Sequence, residues 1–317
     1  MSEEEEILPK NLFIFIIVSA LVIFIGGLIL LLLGHNMTLN EFFYHNTVTY
    51  AIFSVITYLG DLVPQILLVT SLWYAYDKKF AKNLSFALIG SHYSNGVLKD
   101  IFQDPRPWTR REVTGFGFPS GHSQNAVAVW GYLAYHVYRE KKNKILSWIF
   151  VILIYLIAFS RIVVGVHDLE DVWGGLLFGI AFLVFFIVLE PDVTNMINNL
   201  SLKSKIVLAI IIPIILFIAV LLIFPNSEID YGLACGALMG LSLGYLIECE
   251  KIQYDPTILE TKQRIINLII GLIITMILYL GLSFIPLDSQ IWDFIQFFIL
   301  AFLLVTVVPW IFMKIGR

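Results

Sequence analysis

The chain has 317 residues, of which 59% are hydrophobic and only 14% are charged, and its mean hydropathy is +0.86. Soluble domains carry about 25% charged residues, so this composition excludes an ordinary soluble protein and indicates a membrane protein. A formal net charge of −4 and only two cysteines also exclude a basic nucleic-acid-binding protein and a disulfide-stabilised scaffold.

The apolar residues form long runs, and ten of these runs are long enough to cross a bilayer as helices. Segments of alternating polarity, typical of a membrane β-barrel, do not occur. The sequence therefore predicts an all-α, polytopic membrane protein. The first run is too long for the apolar part of a signal peptide, so we interpret it as a retained span. The predicted spans are residues 12–33, 50–76, 84–101, 122–138, 145–163, 171–190, 205–224, 231–248, 264–285 and 291–313.

The positions of the cationic residues indicate an orientation, because Lys and Arg are retained on the cytoplasmic side of membrane spans. With a cytoplasmic N-terminus, all but five of the 20 Lys and Arg residues fall in cytoplasmic segments. This pattern predicts that both termini are cytoplasmic. The exceptions cluster in two outer segments, where we expect the function to lie. They are Lys99, Arg106, Arg110, Arg111 and Arg161.

Three short sequence blocks lie in these outer segments, and the span order places all three on the same face of the membrane. They read Lys99 to Arg106-Pro107, then Pro119-Ser120-Gly121-His122, then Ser160-Arg161 followed by His167 and Asp171. Together they resemble the three-part signature of the type 2 phosphatidic acid phosphatase family, which shares its phosphate site with vanadium haloperoxidases. The resemblance covers about residues 50–190.

The residue types of the blocks suit phosphoryl transfer, in which negative charge is spread over three equatorial oxygens. Lys99, Arg106 and Arg161 supply three positive charges, and arginine can bind a phosphate with two hydrogen bonds. Ser120 and Gly121 precede a predicted helix, whose first N–H groups can bind an anion. These five residues are therefore the predicted phosphate-binding residues.

His167 and Asp171 are four residues apart, which places them on one face of a helical turn. An aspartate that accepts one ring N–H would fix the tautomer of the histidine. His167 is then the predicted nucleophile, forming a phosphohistidine, and His122 is the predicted general acid. The resemblance implies the same roles for these three residues. It also implies that no metal or other cofactor is needed, and no set of carboxylates is spaced to bind one.

The sequence divides into three predicted domains: residues 1–49 with an acidic tail and the first span, 50–190 as a phosphatase core, and 191–317 as a four-span extension of unknown role. With the first span, the resemblance implies a six-span core. The extension contains small residues at every fourth position, a pattern for close helix packing, and leaves open a homo-oligomer, a lipid-entry wall or a transport module. These residues are Gly232, Gly236, Gly240 and Gly244.

For several other residues the sequence allows two alternative roles. Asp61 lies within a predicted span, where a carboxylate either faces a functional cavity or pairs with a neighbour. Ser91 and Asn95 share a helix face with Lys99 and either line the site or bond between helices. Trp108 is an interfacial anchor or a lid. Arg110 and Arg111 bind headgroups or contact the substrate.

The predicted function is a membrane phosphatase that hydrolyses a lipid phosphate or a polyprenyl diphosphate, such as undecaprenyl diphosphate, at the extracytoplasmic face. The expected partners are this lipid and the bilayer, with no nucleic acid. The first block resembles sphingosine-phosphate phosphatases, whereas polyprenyl diphosphate phosphatases are common in the prokaryotic branch. Two alternatives use the same chain differently: a lipid-linked phosphotransferase with the same phosphoenzyme, or a non-catalytic transporter or scaffold.

Overall fold

The computed structural model describes residues 10–35, 37–44, 46–106, 115–285, 287 and 289–315. The described residues form helices and their connections, with no strand among them, so the all-α class predicted from the sequence is confirmed. They divide into two compact units. The first comprises residues 1–61 and 94–198, and the second comprises residues 62–93 and 199–317. The predicted functional domains have different boundaries and stay a prediction.

The first unit contains the three sequence blocks. Its core lies where α6 (Gly121–Ala126) packs on α8 (Lys144–Val163) and α9 (Leu169–Asn198). A π-helical turn at Val127–Gly131 joins α6 to α7 (Tyr132–Glu140). Buried apolar side chains such as Ile157 and Ala158 fill this core. The helices are α1 (Lys10–Leu32), α2 (Thr38–Tyr44), α3 (Thr47–Tyr58), the end of α5 (Lys78–Phe102), α6 (Gly121–Ala126), α7 (Tyr132–Glu140), α8 (Lys144–Val163) and α9 (Leu169–Asn198).

The second unit has its own core of aromatic and aliphatic side chains around Trp73, Tyr74 and Tyr254. A π-helical turn (Glu248–Ile252) and a 3₁₀ turn (Pro256–Ile258) follow α11 (Tyr231–Ile247). Besides the first part of α5, the helices are α4 (Leu62–Ala75), α10 (Leu202–Ile223), α11 (Tyr231–Ile247), α12 (Thr261–Ser283), α13 (Gln290–Val305) and α14 (Val307–Ile315).

The glycines at every fourth position of α11 face α13 of the same chain. A Cβ atom at Gly232 would lie 2.1 Å from the backbone oxygen of Gln290, and one at Gly236 would lie 2.1 Å from that of Phe294. Only glycine permits helices to approach this closely. The predicted close packing is therefore confirmed, and its partner is a helix within the second unit.

Helices occupy all ten predicted spans, but seven of the described helices are long and apolar enough to cross a membrane. The pair α3 and α4 makes an eighth if it forms one bent span. The second predicted span is wrong as a continuous helix, because residues 59–61 interrupt it. Asp61 therefore lies in a break between two helices rather than deep within one. The total of ten membrane spans stays a prediction.

Candidate active site

His167 and Asp171 form a buried pair at the start of α9. The Nδ1 atom of His167 lies 2.8 Å from Oδ2 of Asp171, and the two residues are 2% and 1% exposed. Asp171 belongs to the first turn of α9, and His167 lies in the connection from α8. The side-chain amide of Asn40 in α2 donates to the backbone oxygen of His167 at 2.9 Å. The imidazole is thus held through both its ring and its backbone.

A contact with Arg106 fixes the tautomer of His167. Its Nη1 atom lies 3.1 Å from Nε2 of His167. A guanidinium can only donate, so Nε2 must accept and carry the lone pair. Nδ1 therefore carries the proton and donates it to Asp171. The unprotonated nitrogen lies beside Arg106, one of the predicted phosphate-binding residues, as the prediction of a nucleophilic histidine requires.

The environment of His167 also favours its neutral form. Burial, followed by the positive charges of Arg161 and Arg106, holds the pKa of His167 well below its usual range. An imidazole must be unprotonated at the attacking nitrogen, so this lowered pKa keeps the residue in its reactive state near neutral pH.

The three predicted cations are oriented by hydrogen bonds within the first unit. Lys99, in the last turn of α5, donates to the backbone oxygens of Phe116 and, at 3.1 Å, of Gly117. Arg161, in the last turn of α8, donates from Nη1 to Oγ1 of Thr57 at 2.6 Å. These bonds hold long, flexible side chains in one arrangement before a phosphate arrives.

Arg106 is held by two backbone oxygens in addition to its contact with His167. Its Nε atom donates to Gly115 at 3.2 Å, and Nη1 donates to Val166 at 3.0 Å. The first and third blocks are therefore joined directly, a contact that the predicted span order permits.

Ser120 joins the second block to the third. Its backbone N–H donates to the backbone oxygen of Asp171 at 2.9 Å, and its Oγ caps α6 by accepting from the N–H of Ser123. A Cβ atom at Gly175 would lie 2.5 Å from the backbone oxygen of Ser120, so glycine permits this approach of α9. Gly121 begins α6, beside the side chain of Asn95.

His122 pairs with a second carboxylate. Its Nε2 atom lies 2.8 Å from Oδ1 of Asp61. Of the two interpretations of Asp61, pairing with a neighbour is correct, but the neighbour is the predicted general acid. One sequence feature pointed to Asp61, namely a carboxylate within an apolar segment, but no feature linked Asp61 to His122.

The structure thus places the eight predicted site residues together in the first unit. The charges of Lys99, Arg106 and Arg161 and the ring of His122 all act electrostatically on His167. Asn95 donates to the backbone oxygen of Pro119 at 3.2 Å, so it contacts the second block, whereas Ser91 belongs to the second unit. Trp108, Arg110 and Arg111 lie outside the described residues.

No group of three or more histidine, cysteine, aspartate or glutamate side chains within the described ranges is arranged to bind a metal ion. The negative charge of a bound phosphate would face Lys99, Arg106 and Arg161 instead. Catalysis without a metal ion stays a prediction.

The fold and site define an integral membrane protein whose buried histidine faces a cluster of cations, a class suited to phosphoryl transfer. Residues 80–195 match the family model of the PAP2 superfamily, and residues 232–317 match that of the PAP2 superfamily phosphatase, transmembrane extension. The chain belongs to the PAP2 superfamily, and the resemblance seen in its sequence is confirmed. It is a phosphatase, a hydrolase of phosphoric monoesters or diphosphates. The second match extends into the C-terminal region that the three blocks did not reach.

Three characterised relatives match about 145 residues of the chain. Phosphatidylglycerophosphatase B of Bacillus subtilis is 33% identical over 42% of this chain and 70% of its own length. Lipid phosphate phosphatase delta of Arabidopsis thaliana is 24% identical over 40% of this chain and 35% of its own. Dolichyldiphosphatase of Saccharomyces cerevisiae is 28% identical over 40% of this chain and 61% of its own.

Proposed function

We propose that the protein hydrolyses a lipid phosphate or a polyprenyl diphosphate at the extracytoplasmic face of a membrane through a phosphohistidine intermediate. The observation that carries this proposal is the state of His167. Its Nδ1–H is held by Asp171, and its Nε2 lone pair lies 3.1 Å from Nη1 of Arg106. A nucleophile and a phosphate-binding group are therefore adjacent.

In the first step, Nε2 of His167 attacks the phosphorus atom, and the bond from phosphorus to the leaving oxygen breaks. The leaving oxygen takes a proton from His122, and the lipid product departs as an alcohol or a monophosphate. Positive charge develops on the imidazole of His167, and the carboxylate of Asp171 stabilises it through Nδ1–H.

In the second step, His122 takes a proton from a water molecule, whose oxygen attacks the phosphorus atom. The phosphorus–nitrogen bond breaks and its electron pair returns to Nε2 of His167. Inorganic phosphate leaves, and both histidines regain their starting protonation states. Lys99, Arg106 and Arg161 stabilise the charge on the phosphoryl oxygens in both steps.

Two observations support a lipid substrate. The residues around the site belong to an integral membrane protein, and the names of the three relatives each describe the hydrolysis of a lipid phosphate or diphosphate. A terminal phosphoryl group is common to these substrates. The predicted phosphate-binding residues would act on that group alone, so the site fits a monophosphate and a diphosphate equally.

The extracytoplasmic location rests on charge. The five cations outside the predicted cytoplasmic segments all belong to the two segments that carry the site or border it. Hydrolysis of a short-chain lipid phosphate added to intact, right-side-out membrane vesicles tests this location. Equal rates before and after permeabilisation are expected, whereas activity that appears only after permeabilisation contradicts it.

The central experiment uses the purified full chain and a panel of substrates: phosphatidic acid, phosphatidylglycerophosphate, a sphingoid phosphate and a polyprenyl diphosphate. Phosphate release is measured for each substrate, and the substrates are ranked by kcat/KM. His167→Ala is expected to lower release by at least about 10³-fold, because the phosphoenzyme cannot form. His35→Ala, which removes an exposed histidine, serves as the matched control. If His167→Ala keeps its activity, His167 is excluded as the nucleophile.

In a second experiment the substrate carries a radiolabelled phosphate and the reaction is quenched during turnover. The label should be trapped on the wild-type chain but not on His167→Ala. Addition of EDTA is expected to leave the rate unchanged, and a loss that Mg²⁺ restores would contradict a metal-independent reaction. Formation of a new phosphorylated lipid in place of free phosphate would identify the phosphotransferase alternative.

A further inference from the structure

Asp61 is a carboxylate outside the three sequence blocks that nevertheless contacts one of their residues. It lies in the break between α3 and α4, and its Oδ1 atom is 2.8 Å from Nε2 of His122. The side chain of Asp61 is 44% exposed and that of His122 is 21% exposed. This pair is therefore more open than the pair formed by His167 and Asp171.

The backbone beside Asp61 fits closely around one edge of the His122 ring. A Cβ atom at Gly60 would lie 2.6 Å from Cδ2 of His122 and 3.1 Å from Cγ2 of Ile157. Residues 60 and 61 thus contact the edge formed by Nε2 and Cδ2. The Nδ1 atom lies on the opposite side of the ring, away from Asp61.

The two histidines are consequently held by opposite nitrogens. Asp171 takes the Nδ1–H of His167, which leaves Nε2 unprotonated for attack. Asp61 takes the Nε2–H of His122, which leaves Nδ1 as the atom that exchanges a proton. An imidazolium with one N–H held by a carboxylate keeps its second N–H available for a leaving group.

We propose that Asp61 is a positioning residue for His122: it holds the Nε2–H so that Nδ1 donates a proton to the leaving oxygen. This proposal rests on the proposed function. In the first step the Nδ1 proton moves to the leaving oxygen, and Nε2–H stays bonded to Asp61. In the second step Nδ1 takes a proton from water, which restores the imidazolium.

The experiment compares two phosphate monoesters with the same apolar chain, one of an alkanol and one of a nitrophenol. An alkoxide needs a proton in order to leave, whereas a nitrophenolate does not. The value of kcat/KM is measured for both esters with wild type, Asp61→Asn and the matched control Asp192→Asn, which changes an exposed aspartate of α9. The ratio of the two kcat/KM values, alkyl ester over nitrophenyl ester, separates a loss of proton donation from a loss of folding or binding.

Asp61→Asn is expected to lower kcat/KM for the alkyl ester by about 10- to 100-fold and for the nitrophenyl ester by less than about threefold. Asp192→Asn is expected to match wild type on both esters. Loss of activity by the same factor on both esters would overturn the proposal, and so would wild-type activity of Asp61→Asn on the alkyl ester.

Gly60→Ala provides an independent test that keeps the carboxylate. The added methyl group displaces the His122 ring from Asp61, so the same preference for the nitrophenyl ester is expected. Gly26→Ala is the matched control, because a Cβ atom there has no neighbour within 4 Å. If Asp61→Asn does not fold, Gly60→Ala decides the proposal by the same ratio.

Failure of this proposal differs from failure of the proposed function. Trapping of label on His167 together with equal losses on both esters removes the role of Asp61 alone. Absence of label on the wild-type chain removes the phosphohistidine mechanism itself.

Discussion

The two histidine–aspartate pairs of the first unit have the same distance, 2.8 Å, but different surroundings. The pair of His167 and Asp171 is almost completely buried and joins residues four positions apart. The pair of His122 and Asp61 is partly exposed and joins residues 61 positions apart. A buried pair stays fixed, which suits a nucleophile, whereas an open pair can exchange protons with a leaving group and with water.

The largest expected effect concerns the buried pair. Asp171→Asn keeps the backbone bond to Ser120 but replaces the acceptor of Nδ1–H with an amide that no longer stabilises the imidazolium. We expect kcat to fall by about 10³- to 10⁴-fold, with KM changed little. Steady-state phosphate release measures this. Glu170→Gln, in the same turn, is the control and should stay within about twofold of wild type.

The next effect concerns the open pair and distinguishes it from the buried one. His122→Ala is expected to lower release from an alkyl phosphate by about 10²- to 10³-fold, because the leaving oxygen loses its proton donor. With a nitrophenyl ester, the first step should persist and the label should accumulate on His167, since water is no longer activated. Absence of that accumulation, while His167 remains reactive, would show that the two histidines do not divide the work in this way.

Arg161 affects both histidine–aspartate pairs, because its positive charge acts on His122 and on His167. Thr57→Val removes the hydroxyl that Arg161 contacts at 2.6 Å. One hydrogen bond to a charged group contributes about 1.5 kcal/mol, so kcat/KM should fall by about tenfold for every substrate. Thr57→Ser keeps the hydroxyl and should retain most of the activity. A loss confined to one class of leaving group would argue against a shared role.

The smallest effect is on stability and follows from the lowered pKa of His167. Below its ordinary pKa of about 6.5, the unfolded chain binds a proton that the folded chain does not, so stability falls as the pH decreases. Lowering the pH from 7.5 to 5.5 should therefore reduce the free energy of unfolding by about 1 kcal/mol through this histidine. The melting temperature should fall by about 2 to 4 °C. His167→Gln should lose less than wild type over this range. An equal loss in both would show that His167 does not titrate in this way.

The contrast between the pairs also explains what the sequence could predict. The pair of His167 and Asp171 was predicted from helical spacing, in which residues four apart lie on one face. The pair forms, but His167 lies in the connection before α9 and only Asp171 belongs to the helix, so the helical turn itself was wrong. The three cations stood out because they lie in segments predicted to be outside the cytoplasm. Lys99, Arg106 and Arg161 could therefore be singled out from the sequence, and their role in phosphate binding stays a prediction.

The pair of Asp61 and His122 could not be predicted, because no local period relates two residues that far apart. Asp61 also appeared to lie within a continuous apolar helix, and only the interruption at residues 59–61 brings it to the site. The glycine stripe of α11 was predictable as a packing surface, but its partner helix was not. Spacing specifies which residues share a face, whereas tertiary packing decides what that face meets.

The backbone bond between Ser120 and Asp171 has a mechanical consequence. Asp171 holds the ring of His167 with its side chain and the start of α6 with its carbonyl, both at less than 3 Å. A slide of α9 along its axis by one residue, about 1.5 Å, would break both bonds together. A single displacement of α9 would therefore disturb the histidine–aspartate pair and the start of α6 at the same time.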